Sequence, residues 1–402
     1  MGIVIDGVLH EDGRFPLPLT AGKPHTLTTS PGVGRLSLGP RAMGKKVDLW
    51  VEADEPIHWP CFDPFATMAG SPWPRHIDYH GNDSGFFAWS AQRDIEGFTW
   101  KPALPHDVEV DASLSRIDAL SLHLPADAAG NLHIRLPSTP PGRVPRLGLH
   151  GSLHKAQFSG GLPQYLSLSP ATSKRSSDAP LQLPDMGALQ QVQHLELGNG
   201  AGKQPISLRG LRQFQQLTSL SLWGHCVDLE ELVALQGLTS LQLRFMPQLS
   251  GLPALDSWPA LESFIAYNVE EATGKRLRQQ MKAREKQRAW GGYSSVTQLR
   301  KPEWWAKEYG RPFAGWPATR AKLAHAAYDA VELALRSATQ RQQAQAAIEA
   351  FTVRFNSVKG IETTEREDLG EAVWQLAQRP EAQALGVTEE LAQQWFDAVR
   401  DY

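Results

Sequence analysis

The sequence predicts an α+β chain: an irregular β-rich N-terminal region, a solenoid of short strands in the middle, and a C-terminal helical bundle. Three observations carry that expectation. Residues 1–115 are crowded with Pro, Gly, Trp and His around short alternating apolar runs. Between residues 189 and 269, paired apolar residues recur at steps of 25, 21 and 23 residues. After residue 317 the apolar period becomes helical.

The chain has 402 residues, room for two or three compact units of about 100–200 residues each. With 41% apolar and 21% charged residues it carries enough hydrophobic material for a core. A net charge of -3 gives no reason to expect a nucleic-acid or membrane-surface partner. Cys61 and Cys226 are the two cysteines, too few for a disulfide framework. The opening MGIVIDGVLHEDGRF has no basic, then apolar, leader pattern. Asp6 stands where a myristoylation motif needs Ser or Thr. No apolar run reaches the about 18 residues that span a bilayer. The expected compartment is the cytoplasm.

In the first region, Val47-Asp48-Leu49-Trp50-Val51 and Val108-Glu109-Val110 alternate as strands do. Turn-formers and aromatics fill residues 59–100. From residue 116 leucine recurs in pairs two apart: Leu120/Leu122, Leu132/Ile134, Leu147/Leu149 and Leu166/Leu168. Side chains two apart share a strand face, so each pair points into a common core. The Ser/Pro-rich residues 167–184 read as a loop or insertion.

The regular part begins with Leu189-x-x-Val192-x-x-Leu195-x-Leu197, then Leu211-x-x-Phe214-x-x-Leu217-x-x-Leu220-x-Leu222. Leu232-x-x-Leu235-x-x-Leu238-x-x-Leu241-x-Leu243 and Leu252-x-x-Leu255-x-x-Trp258-x-x-Leu261-x-x-Phe264-x-Ala266 follow. This segment resembles the leucine-rich-repeat family, whose period is about 20–29 residues. The family's asparagine position is held by Gly200, His225, Met246 and Val269, with Asn199 and Asn268 one residue early. The solenoid is expected over residues 116–270, regular from 189.

Residues 271–316 read as a capping helix and connector. Lys275, Arg276, Arg278, Lys282, Arg284, Lys286 and Arg288 face a single acid, Glu285, and Leu277 and Met281 supply an apolar stripe. Trp290, Trp304, Trp305 and Trp316 follow. Residues 317–402 form the helical bundle. Leu323/Ala327/Val331, Ile348/Phe351/Phe355, Leu369/Val373/Leu376 and Leu391/Trp395/Ala398 each share a helix face. Thr364-x-x-Glu367 fits a capping box, and Thr388 fits an N-cap.

The resemblance implies leucines pointing inward and intervening residues forming an open face. Three columns result: His194, Ser219, Ser240, Ser263; Glu196, Ser221, Gln242, Ile265; and Gly198, Trp223, Arg244, Tyr267. Trp, Arg and Tyr are the residue types most enriched among interface hot spots. Trp223, Arg244, Tyr267, Glu196, Gln242 and Ser221 are therefore the expected partner-binding residues.

Other signals are weaker. His76-x-Asp78-x-His80-x-x-Asp83, with His58 and Cys61 upstream, has donors of the kind that hold zinc or iron but no second ligand pair, and reads first as a polar turn. Cys61-Phe62-Asp63 resembles the Cys-x-Asp nucleophile of bacterial leucine-rich-repeat ubiquitin ligases, yet precedes the repeats instead of following them. Gly-Asn-Gly-Ala-Gly-Lys at 198–203 lacks the spacing of a phosphate loop. No GxSxG, HExxH or GxGxxG motif occurs. The expectation is a non-enzyme without catalytic residues, metal or cofactor.

Few lysines and many Gln, Arg and Trp give a bacterial texture. The layout resembles bacterial leucine-rich-repeat immunity proteins of polymorphic toxin systems. The stretch from Phe355-Asn356 to Glu371, with Thr363-Thr364-Glu365-Arg366-Glu367-Asp368, is similar to tails of such proteins. The resemblance implies an inhibitor that occludes a cognate toxin, with a protein partner and neither nucleic acid nor membrane. The alternatives are an effector with an enzymatic flanking domain and a non-catalytic scaffold.

Overall fold

The computed structural model describes residues 3–10, 13–29, 34–138, 145–173, 179–199, 204–307, 309–313 and 316–401. The chain divides into two compact units, Met1–Arg300 and Lys301–Tyr402.

The first unit is organised by one twelve-stranded sheet. Its strands are β1 (Arg35–Gly39), β2 (Leu49–Trp50), β3 (His76–Tyr79), β4 (Ile95–Trp100), β5 (Ile117–Leu124) and β6 (Arg146–Gly151). They continue as β7 (Tyr165–Pro170), β8 (His194–Gly198), β9 (Ser219–Trp223), β10 (Ser240–Met246), β11 (Ser263–Glu270) and β12 (Ser295–Arg300). Every pairing is parallel. Spatial order follows chain order, except that β2 lies outside β1 at one edge.

This corrects the expected fold class. Among the described residues there is no irregular β-rich N-terminal region set apart from a leucine-rich-repeat solenoid, and the arrangement is α/β, not α+β. A single parallel sheet with helices takes in both regions from Arg35 to Arg300. The physical reason lies in residue type. Register aligns Tyr79 with Trp100, Trp100 with Leu122, and Leu122 with Leu149. Aromatics thus fill, in the early strands, the inward positions that leucine fills later, and all four are fully buried. A leucine count cannot see them. The same aromatics build the local core, where Phe86 stacks on Phe98 at 3.9 Å and Trp59 on Trp89 at 5.8 Å.

A second, three-stranded parallel sheet pairs Val108–Asp111 with Leu132–Leu136, and that strand with Ala156–Gly160. Between β4 and β7 the chain alternates between the two sheets. Leu132 and Ile134 belong to this second sheet, and Ser167 lies in β7 and not in a loop. Residues 174–178 of the supposed insertion, and Gly200, lie outside the described residues.

Beyond residue 187 the return segments are 3-10 helices, Gly187–Gln191, Leu208–Gln213, Leu229–Ala234 and Leu255–Ser257. A three-residue turn brings positions three apart onto one side. Leu208 with Leu211, and Leu229 with Leu232, are accordingly buried together. Asn199 and Asn268 are buried as well. Asn199 Nδ2 donates to Thr172 Oγ1 at 3.1 Å, and Arg300 Nε donates to Asn268 Oδ1 at 2.6 Å.

Helix α1 (Glu271–Gln287) follows β11. The Glu270 carboxylate accepts from Ala272 N and Thr273 N, at 3.0 and 3.3 Å, satisfying donors the first turn leaves open. Much of the basic run serves this packing. Arg284 is 8% exposed and donates to the carbonyls of Leu255, Trp258, Pro259 and Leu261. Arg278 Nε donates to Val296 O and Arg288 Nη1 to Pro259 O, each at 2.9 Å.

The second unit contains α2 (Ala318–Ser337), α3 (Arg341–Val353), α4 (Thr363–Ala377) and α5 (Glu389–Val399). Val331, Ile348, Phe351, Phe355, Val373 and Trp395 share its core with Phe313 and Phe396. The α5 face differs from the periodicity reading: Ala392 and Phe396 are buried, while Ala398 is exposed. α4 is capped by Glu362, two residues before Thr364, and Thr388 Oγ1 accepts from Leu391 N at 3.2 Å. No helix among the described residues is long and apolar enough to cross a membrane.

Candidate functional site

Alternation along each strand sends the leucines of β5–β10 inward and their neighbours to the other face. Register then stacks those neighbours about 4.8 Å apart. His194 aligns with Ser219, Ser240 and Ser263; Glu196 with Ser221, Gln242 and Ile265; Gly198 with Trp223, Arg244 and Tyr267.

A groove of about 780 Å³ runs along this face. Glu196, Ser221, Trp223, Gln242 and Arg244 line it, and the sheet brings these five expected residues together. Tyr267 is not in its wall. It stands at the end, edge-on to Phe245 with ring centroids 5.8 Å apart. Phe245 does line the groove and adopts a left-handed φ of 51°, which re-aims its side chain just after Arg244. Gly224, Asn268 and Gln298 are left-handed at the equivalent point.

Each expected residue has a definite environment. Arg244 is exposed, and its Nη2 donates to Gln242 Oε1 at 2.8 Å. Glu196 is exposed, and Trp223 is half-buried with its Nε1 lacking a hydrogen-bond partner. The serine column is open at Ser219 and closed at its far end, where Ser263 Oγ donates to the Tyr293 carbonyl at 2.6 Å. Toward β6, His194 packs on Tyr165 at 4.7 Å and Arg146 lies 5.8 Å over the same ring.

The column holding Trp223 continues to the other end of the sheet with different chemistry. His150 pairs in register with His123, and their rings stack at 4.4 Å with planes 13° apart. Next come Lys101 and His80, each one residue beyond the paired Trp100 and Tyr79. Lys101 Nζ approaches His80 Nε2 at 3.1 Å and both Asp78 oxygens, at 3.0 and 3.1 Å. Arg35 Nη2 also donates to Asp78 Oδ2 at 3.1 Å. His80, Lys101, His123 and His150 all line a cavity of about 520 Å³.

Electrostatics follow from this packing. Burial opposes ionisation of Asp78, but hydrogen bonds from His80 and Lys101 outweigh it and hold the carboxyl well below the usual range. Burial, then His150 and Lys101, lowers His123 to about 4. Burial and Lys101 lower His150 as well. Both rings are therefore neutral near pH 7.

The His/Asp/Cys cluster noted in the sequence is dispersed among other tasks. His76 Nε2 lies 3.4 Å from Glu96, and Asp83 accepts from Ile57 N at 2.8 Å and Trp59 Nε1 at 3.2 Å. Among the described residues no group of three or more His, Cys, Asp or Glu is arranged to hold a metal ion. Cys61 is buried, which pushes its thiol up to about 12, while Asp63 accepts from Trp89 Nε1 at 2.7 Å. A protonated, buried thiol is no nucleophile.

Sequence reasoning missed Lys101, His123, His150 and Phe245, and placed His80 in a different grouping, with His76, Asp78 and Asp83. The signal for two was present: His123 and His150 directly follow the pairs Leu120/Leu122 and Leu147/Leu149, just as Trp223 follows Leu220/Leu222. Comparison of the chain with family models, with curated proteins and with solved structures returns no match, so its function is argued from its own geometry.

Proposed function

We propose that this chain is a protein-binding protein that holds one protein partner against the open face of its sheet. The role is that of an immunity-type inhibitor in the bacterial cytoplasm, covering the active site of a cognate toxin. One observation carries the reading. In-register strands assemble Trp223, Arg244 and Phe245 on a groove of about 780 Å³, beside small serines that let a partner approach. Trp223 presents a partly accessible ring, and Arg244 a planar donor fork. An inhibitor needs such a rigid surface and no chemistry, and the buried Cys61 thiol weakens the nucleophile alternative. Near-neutral net charge favours a protein over nucleic acid or a membrane surface.

The test is affinity capture of the partner from the native host, followed by titration against variants. Trp223→Ala with Tyr267→Ala is expected to weaken binding by about 2–4 kcal/mol, as hot-spot truncations do. Arg244→Ala, at an exposed position, is expected to weaken it by about 1 kcal/mol or more with the thermal midpoint unchanged. Full-strength binding by all these variants would place the interface elsewhere.

A further inference from the structure

The cavity at the other end of the sheet has a chemistry of its own. Consecutive strands deliver His80, Lys101, His123 and His150 to its floor in one register row. The row spans three strand spacings, about 14 Å. Pro40, Met43, Ala53, Pro102 and Pro125 form apolar walls above it. At 520 Å³ the space lies within the range of small-molecule sites.

Charge on this floor is one-sided. Lys101 and three imidazoles face the cavity, and the carboxylate among the lining residues is Asp127, exposed at the rim. Asp78 sits one row away from the cavity and is already shared between Lys101 and Arg35. No described side chain hydrogen-bonds a ring nitrogen of His123 or His150, so each neutral ring keeps an N–H to offer. Gly148 leaves space for this: a β-carbon there would stand 3.3 Å from His150 Nε2.

We propose that this cavity is a binding site for a small organic phosphate, its phosphate held by Lys101 and the ring N–H groups of His123 and His150. The apolar walls take the organic portion. The site is independent of the protein-docking groove. An anion beside the imidazoles stabilises their protonated forms, so binding takes up protons. Arg35, Lys101, Asp78, Asp127 and His80 are the other titratable or charged groups near that event.

Isothermal titration of the full chain with phenyl phosphate, inorganic phosphate and citrate tests the assignment. Phenyl phosphate is expected to bind with 1:1 stoichiometry, about tenfold more tightly than inorganic phosphate and with proton uptake, and citrate more weakly than either. Lys101→Met is expected to lower phenyl phosphate affinity at least about tenfold. Ala103→Trp fills the mouth of the cavity, leaves every nitrogen in place, and decides the matter should Lys101→Met fail to fold. No saturable phenyl phosphate binding to wild type, unchanged affinity in Ala103→Trp, or citrate binding as tightly as phenyl phosphate would each overturn the proposal.

Discussion

The indole of Trp223 lies across the backbone of Gly198 on the neighbouring strand, so close that a β-carbon at 198 would stand 2.4 Å from the ring. The glycine thus sets the pose of the indole, which lines the groove with Tyr165 and Phe245. Because that β-carbon would stand 2.4 Å from the Trp223 carbonyl oxygen as well, Gly198→Ala should both push the indole outward and shift the paired strand, costing about 1–3 kcal/mol, the usual range for overpacking. Denaturant melts would report the loss, and tryptophan emission should shift red as the ring becomes wetter. Partner affinity should fall with it. Wild-type stability and emission in this variant would mean that the ring has free room after all.

Arg284 fixes α1 to the sheet by donating to four backbone carbonyls from a nearly buried position. Arg284→Met keeps much of the apolar stem but leaves the Leu261 carbonyl without its donor, while the Leu255 and Trp258 carbonyls keep backbone donors and Pro259 keeps Arg288. A buried orphan costs about 1–3 kcal/mol, so a loss of about 2 kcal/mol is expected. Lys282→Met, a change to a neighbouring exposed basic residue, should lie within about 0.5 kcal/mol of wild type. Equal effects from the two changes would refute a specific role for Arg284.

Burial raises both thiols to about 12, and Cys226 is fully enclosed. A neutral-pH thiol reagent should label neither cysteine in the native chain and both after denaturation. The linkage has a definite sign. The folded-state value lies above the unfolded one, near 9. The stabilisation is therefore complete below about pH 9 and is lost as pH rises toward about 12. Cys226→Ala should flatten that alkaline loss, and rapid labelling of native protein would contradict the burial.

His123 behaves oppositely. Its folded value of about 4 lies below the unfolded 6.5. Its contribution is thus present above pH 6.5 and drains away as pH falls through about 4, because the unfolded chain protonates first. Allowing for partial solvent screening, the effect is on the order of 1 kcal/mol. Urea melts at stepped pH should show His123→Asn losing less stability than wild type across this window. Identical acid sensitivity would count against the burial of the ring.

Part of this was legible beforehand. Period-two alternation and the recurring Leu195, Leu220, Leu241 and Phe264 placed the three columns correctly, and the strand registers reproduce them. The early strands were invisible because Tyr79 and Trp100 hold inward positions without resembling leucine. The second sheet was invisible because Leu132 and Ile134 carry the same alternation as strands of the first. The lysine–histidine floor escaped notice because its members lie far apart in sequence and only register unites them.

The near-sequential strand order bears on how the molecule assembles. Pairings such as Leu220 with Leu241 join residues 21 positions apart, and the next pairing repeats the step. Low contact order of this kind favours growth outward from any early strand pair, with no distant ends to bring together. A lesion in one central strand would split that growth into two fragments. Each would present a raw hydrogen-bonding border, open to association with another chain.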